Sequence, residues 1–99
     1  MSDKIENKLA VRIRFFTAAE GGRTQDLRGS RYGAPLFVDG KGFDCRFNFS
    51  DAHISLGEWV DVELMFLSPD LALPKLPANT LFTLWEGKTV AEGIALQLA

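Results

Sequence analysis

The stretch Phe43-Asp44-Cys45-Arg46-Phe47-Asn48-Phe49 decides the fold. Phe43, Cys45, Phe47 and Phe49 take every second position, with Asp44, Arg46 and Asn48 between them. Successive side chains of a strand point to opposite faces, so this order builds one apolar and one polar face. A helix with one buried side would scatter the same residues around its circumference. Trp59 to Leu67 repeats the pattern over a longer run. Val60, Val62, Leu64 and Phe66 share one face there, and Trp59, Asp61, Glu63 and Met65 the other.

Working outward, Val11-Arg12-Ile13-Arg14-Phe15 alternates in the same way and ends at the turn signal Glu20-Gly21-Gly22-Arg23. Thr24 to Gly33 is polar and reads as an extended loop. Ala34 to Val38 is a short apolar run, followed by Asp39-Gly40, a strong hairpin signal. Ser50 to Gly57 is a connection rich in turn residues, with room for a short strand. Pro69, Pro74 and Pro77 punctuate a long crossing loop. Leu81 to Trp85 reads as a strand, Glu86-Gly87-Lys88 as a turn, and Val90 to Leu98 as a final strand with Gly93 at a bulge or close approach. The sum is six strands, no helix and no internal repeat. That predicts an all-β protein, a sandwich or a barrel, with a closed barrel removing the bare edges of a small open sheet. Residues 9–99 form the single barrel domain, after a flexible lead-in over residues 1–8.

A chain of 99 residues, 46% hydrophobic and 24% charged, supports one folded core. Its one cysteine, Cys45, cannot form an intramolecular disulfide; between Phe43 and Phe47 it reads as a small buried hydrophobe. Met1 to Lys8 lacks the apolar core of a secretory leader, and no apolar run nears the roughly 20 residues that span a bilayer. The expectation is a cytoplasmic protein without membrane contact. A net charge of −2 disfavours strong nucleic-acid binding. The charge is uneven: residues 1–50 hold nine Lys and Arg against six Asp and Glu, while residues 51–99 hold two against seven.

Chemistry motifs fail one by one. Gly87-Lys88-Thr89 echoes the end of a phosphate-binding loop, but Phe82 stands where its first glycine is needed and no helix follows. Gly40-Lys41-Gly42 echoes a dinucleotide fingerprint, but Cys45 holds the third glycine position. Asp51, His53 and Ser55 alternate along one strand-like segment, which rarely supplies the direct hydrogen bonds of a catalytic triad; an exposed histidine is the ordinary reading. Asp61 and Glu63 read as a solvated carboxylate pair. One His and one Cys give no zinc spacing. The expectation is therefore no enzyme, no cofactor and no metal.

Two sets of residues suit binding. Arg12, Arg14, Arg23, Arg28 and Arg31, with Tyr32 beside them, suit phosphate or RNA contact and equally a protein interface. Trp59 and Trp85 fall out of phase with the core residues of their strands and are candidate contact anchors.

Several segments line up in order: the first strand, then Glu20-Gly21-Gly22-Arg23-Thr24, Arg28-Gly29, the long strand after Leu56-Gly57-Glu58, and Phe82-Thr83-Leu84-Trp85-Glu86-Gly87-Lys88-Thr89-Val90-Ala91-Glu92-Gly93. Over about residues 9–99 this resembles the C-terminal, third domain of bacterial elongation factor Tu. The resemblance implies a six-stranded antiparallel barrel that packs on other domains and touches aminoacyl-tRNA and the nucleotide exchange factor. It places Gly22, Arg23 and Thr24 at the tRNA-facing turn. Thr24 stands where the family usually carries a histidine, and no GTPase motif is present. The resulting expectation is a stand-alone, translation-linked binding module that docks on a protein partner. The alternative is an RNA- or tRNA-binding module using the arginines, and an outward aromatic face leaves room for a homodimer.

Overall fold

In the computed structural model, residues 8–29, 31–47 and 52–96 are described. Residues 1–7 of the expected lead-in, Asn48, Phe49, Asp51, and residues 97 and 98, expected to end the final strand, lie outside them. Among the described residues eight strands form: β1 (Leu9–Phe15), β2 (Leu27–Gly29), β3 (Gly33–Val38), β4 (Lys41–Phe47), β5 (Ala52–Ile54), β6 (Trp59–Phe66), β7 (Leu81–Trp85) and β8 (Thr89–Ala95). Six of them close into a barrel in the order β1-β6-β4-β3-β7-β8, with β8 paired back to β1. Every pairing is antiparallel.

The alternation predicted from the sequence sets which side chains face in. Val11, Ile13, Phe15, Leu36, Leu64, Leu84 and Val90 have under 2% of their surface exposed. Each such side chain contributes about 1.5–3 kcal/mol on burial. Cys45, Phe47 and Phe66 join them, while Asp44, Arg46 and Met65 point out. The β3–β4 hairpin turns through Asp39 and Gly40 at φ 52° and 75°. Positive φ at both central residues is the pattern of a type I′ turn, whose twist matches the flanking strands.

Gly93 is a close approach rather than a bulge. It pairs with Phe82 across β7–β8, and a Cβ there would lie 2.4 Å from the Phe82 ring. The irregularity in that ladder falls instead between Leu84 and Trp85.

The two mouths of the barrel are closed differently, and both closures depart from the sequence reading. Thr24 to Gly33, read as a loop, contains β2, which pairs with β5 as a separate two-stranded sheet with Leu27 opposite Ile54. Both of these side chains are buried. Phe15, Tyr32 and Phe47 meet below, with ring centroids 5.0–5.9 Å apart. At the other mouth the proline-rich crossing segment contains one helical turn, α1 (Pro69–Ala72), and a 3₁₀ turn over Leu73–Lys75. Proline fits the first turn of a helix because its missing N–H has no partner there anyway. Ala72 and Leu76 go into the core.

Candidate functional site

β1 carries Arg12 and Arg14 on the outside of the barrel, between β6 and β8. Antiparallel pairing brings Asp61 opposite Arg12 and Glu92 opposite Arg14. Arg12 donates to both oxygens of Asp61, Nε at 2.7 Å and Nη2 at 3.1 Å. The fork holds the Asp61 carboxyl below its usual range. Arg14 donates to Glu92 at 3.1 Å and to both oxygens of Glu20 at 2.9 Å, and lies over the Phe16 ring. Glu20 is thereby lowered to about 2, first by Arg14 and then by the Thr17 N–H it accepts in a capping box. Asp61 and Glu63, read as a solvated pair, both lie on an exposed face, with Asp61 committed to Arg12.

The Gly22-Arg23-Thr24 turn leaves β1 at the mouth covered by β2 and β5. Gly22 is buried, and a Cβ on it would sit 2.2 Å from the Phe16 carbonyl oxygen. Its N–H donates to the Thr17 carbonyl at 2.8 Å. Arg23 reaches the β7–β8 turn and donates to Glu86 at 2.7 and 2.8 Å, with its guanidinium over the Tyr32 ring. The Tyr32 hydroxyl donates to the same carboxylate. Burial first and Glu86 second push the Tyr32 phenol well above its ordinary value. Thr24, Gln25 and Lys88 border a polar hollow of about 320 Å³ beside this contact. The two segments most specific to the resemblance, Glu20–Thr24 and Glu86–Gly93, thus touch each other.

Arg28 and Arg31 are exposed and make no ion pair among the described residues. Of the five arginines three are bound to carboxylates, and bound guanidiniums present little net charge to a phosphate. The His53 Nε2 donates to Asp26 at 2.9 Å, and the other Asp26 oxygen accepts the Leu56 N–H at 3.1 Å. His53 and Leu56 hold Asp26 below its ordinary range. His53 is thus tied to Asp26, not to Ser55, and the bond fastens the β2–β5 cover to the chain entering β6.

The tryptophans do project outward. Trp59 is 52% exposed and Trp85 44%. Trp85 meets Phe37 edge-on, centroids 6.4 Å apart. Phe37 and Leu81, which sequence reasoning missed, extend this face. Both fall out of phase with buried neighbours: Phe37 between Leu36 and Val38, and Leu81 before Phe82. That is the same signal that exposed the tryptophans. Phe37, Trp59, Leu81, Thr83, Glu92 and Ile94 line a hollow of about 410 Å³ over β3, β7 and β8.

Cys45 is buried and its thiol donates to the Ala34 carbonyl at 3.3 Å. Burial first and Asp44 second push it up to about 12. Among the described residues no group of three or more His, Cys, Asp or Glu could hold a metal ion. No helix among them is long and apolar enough to cross a membrane. In comparisons with known proteins, neither a family model nor a curated protein matched the chain.

Proposed function

We propose that this chain is a non-enzymatic docking module, built like the third domain of elongation factor Tu and linked to translation, that binds a protein partner through its outer aromatic face. The observation that carries the reading is the gathering of Phe37, Trp59, Leu81 and Trp85 around one side of the barrel, each at least 38% exposed. Aromatic anchors beside a shallow hollow are the usual energetic centre of a protein interface. Among the described residues the hollow is lined by Asp39, by Glu92, which Arg14 already holds, and by no Lys or Arg. A partner with a basic rim suits it better than a second copy of the chain.

Both tryptophans of the protein lie on or beside this face, so their fluorescence reports its coverage directly. The test titrates the chain with purified elongation factor Tu lacking its third domain, and separately with the nucleotide exchange factor. A saturable blue shift, lost in Trp85→Ser with Leu81→Ser, supports the reading. No shift with either protein overturns it.

The RNA reading rests on Arg28 and Arg31, the two arginines of the set without a carboxylate partner among the described residues. It requires tRNA binding that weakens steeply with salt and with Arg28→Ala and Arg31→Ala together. A flat tRNA titration at low salt removes it.

A further inference from the structure

The barrel carries a second concave surface. Its volume is about 720 Å³, and it spans the outer faces of β3, β4 and β6. It shares β3 and β6 with the aromatic face, which takes Phe37 and Trp59 from them, but none of its lining residues. Register places its side chains in two rows. Met65, Arg46 and Gly33 stand side by side across the three strands. Leu67, Asp44 and Pro35 form the next row, where the Leu67 N–H donates to the Asp44 carbonyl at 3.1 Å. Arg31 borders the first row at the start of β3.

Two features of this surface point to an occupant. Arg31 and Arg46 are exposed and make no ion pair among the described residues, whereas Arg12, Arg14 and Arg23 are all bound to carboxylates. Gly33, beside Arg46, has no side chain to screen it. Opposite the arginines, Met65 is 38% and Leu67 80% exposed. Large aliphatic side chains at such exposure lose free energy to water until something covers them.

We propose that the groove over β3, β4 and β6 docks an acidic, apolar peptide segment of a partner protein. The segment's carboxylates fork onto Arg31 and Arg46, and its large aliphatic or aromatic side chains cover Met65 and Leu67. A nucleic acid fits less well. The bordering rings of Tyr32 and Phe47 turn inward onto Phe15 instead of offering bases a stacking platform, and the Asp44 carboxylate confines the segment's acidic groups to the Arg31 and Arg46 end. The surface shares no residue with the aromatic face, so the two proposals stand or fall separately.

The test selects a displayed library of random peptides on the folded full-length chain, then measures selected peptides by fluorescence anisotropy. Expected is enrichment of sequences combining Asp or Glu with Leu, Ile, Met or Phe. Arg31→Glu with Arg46→Glu should weaken their binding about tenfold or more, and Met65→Asp should weaken it similarly. Arg31 and Arg46 are exposed and Met65 lies outward, so these variants should keep the wild-type circular dichroism and melting temperature. Trp85→Ser should leave the affinity unchanged. Enrichment without acidic residues, equal affinity in the double arginine variant, loss of binding in Trp85→Ser, or no enrichment at all would each overturn the proposal. So would a poly-uridine oligonucleotide displacing the peptides by occupying the same arginines.

Discussion

Arg23 and Glu86, 63 residues apart in sequence, are joined by two hydrogen bonds of 2.7 and 2.8 Å across one mouth of the barrel. The Tyr32 hydroxyl donates to the same carboxylate, so one glutamate ties the turn after β1, the start of β3 and the β7–β8 turn together. Glu86→Gln should cost about 1–2 kcal/mol in urea unfolding, since it leaves a half-buried guanidinium and phenol with a weaker acceptor.

Tyr32 is the only tyrosine, so phenolate absorbance reads it alone. Its neutral form is favoured in the fold, which gives stability present below the ordinary value of 10.0 and lost as pH rises beyond it. The folded protein should show no tyrosinate at pH 10. Glu86→Gln should lower the midpoint without returning it to the ordinary value, because burial is the larger cause. A midpoint unchanged in the variant would mean that Glu86 does not act on the phenol.

Gly93→Ala should destabilise the barrel by about 1–3 kcal/mol, because the added methyl meets the Phe82 ring at 2.4 Å and the Arg12 carbonyl oxygen at 3.1 Å. Phe82→Leu alone should also destabilise. Combined with Gly93→Ala it should cost less than the sum, since the ring that the methyl strikes is gone. Chemical denaturation of the four proteins checks this, and strict additivity counts against the contact.

Cys45 should resist an aromatic disulfide reagent in the native state at pH 8. Its thiol is buried and pushed up to about 12, so both access and thiolate are scarce. One thiol per chain should react promptly in guanidinium. Prompt labelling of the folded protein would place Cys45 at the surface.

Acid should loosen the outer ion pairs in a defined window. Glu20 is depressed from 4.5 to about 2, so its stabilising charge is present above 4.5 and is lost as pH falls toward 2. Thermal melts should fall over that range. Glu20→Gln should be less stable at neutral pH and show a shallower fall, with the residual slope coming from Asp26 and Asp61, which are lowered too.

The barrel was legible wherever a strand is long enough to show its period. Val60 to Phe66 and Phe43 to Phe47 display it over five residues or more, and the Asp39-Gly40 turn names itself chemically. Leu27–Gly29 and Ala52–Ile54 are three residues each, too short for any period, and they pair only with each other across a gap in sequence. The turn Pro69–Ala72 hid because proline there reads as a breaker until it is known to start a helix. The candidate site was half legible. Outward tryptophans follow from phase, and Phe37 and Leu81 could have been found by the same rule. The fate of the arginines could not, save for Glu20, six residues from Arg14: Asp61, Glu92 and Glu86 lie 49, 78 and 63 residues from Arg12, Arg14 and Arg23 and meet them only after closure.

β1 sits between β6 and β8, and its two ladders are the seam of the cylinder. During synthesis β1 emerges before its partners and stays unpaired until residues 59–66 and then 89–95 have cleared the ribosome. Until then the nascent chain carries an open seam, with Val11, Ile13 and Phe15 uncovered. Such long-range pairing folds slowly and leaves a bare strand at risk of sticking to others. The outward Arg12 of β1 carries a charge that discourages such sticking until Asp61 arrives to neutralise it.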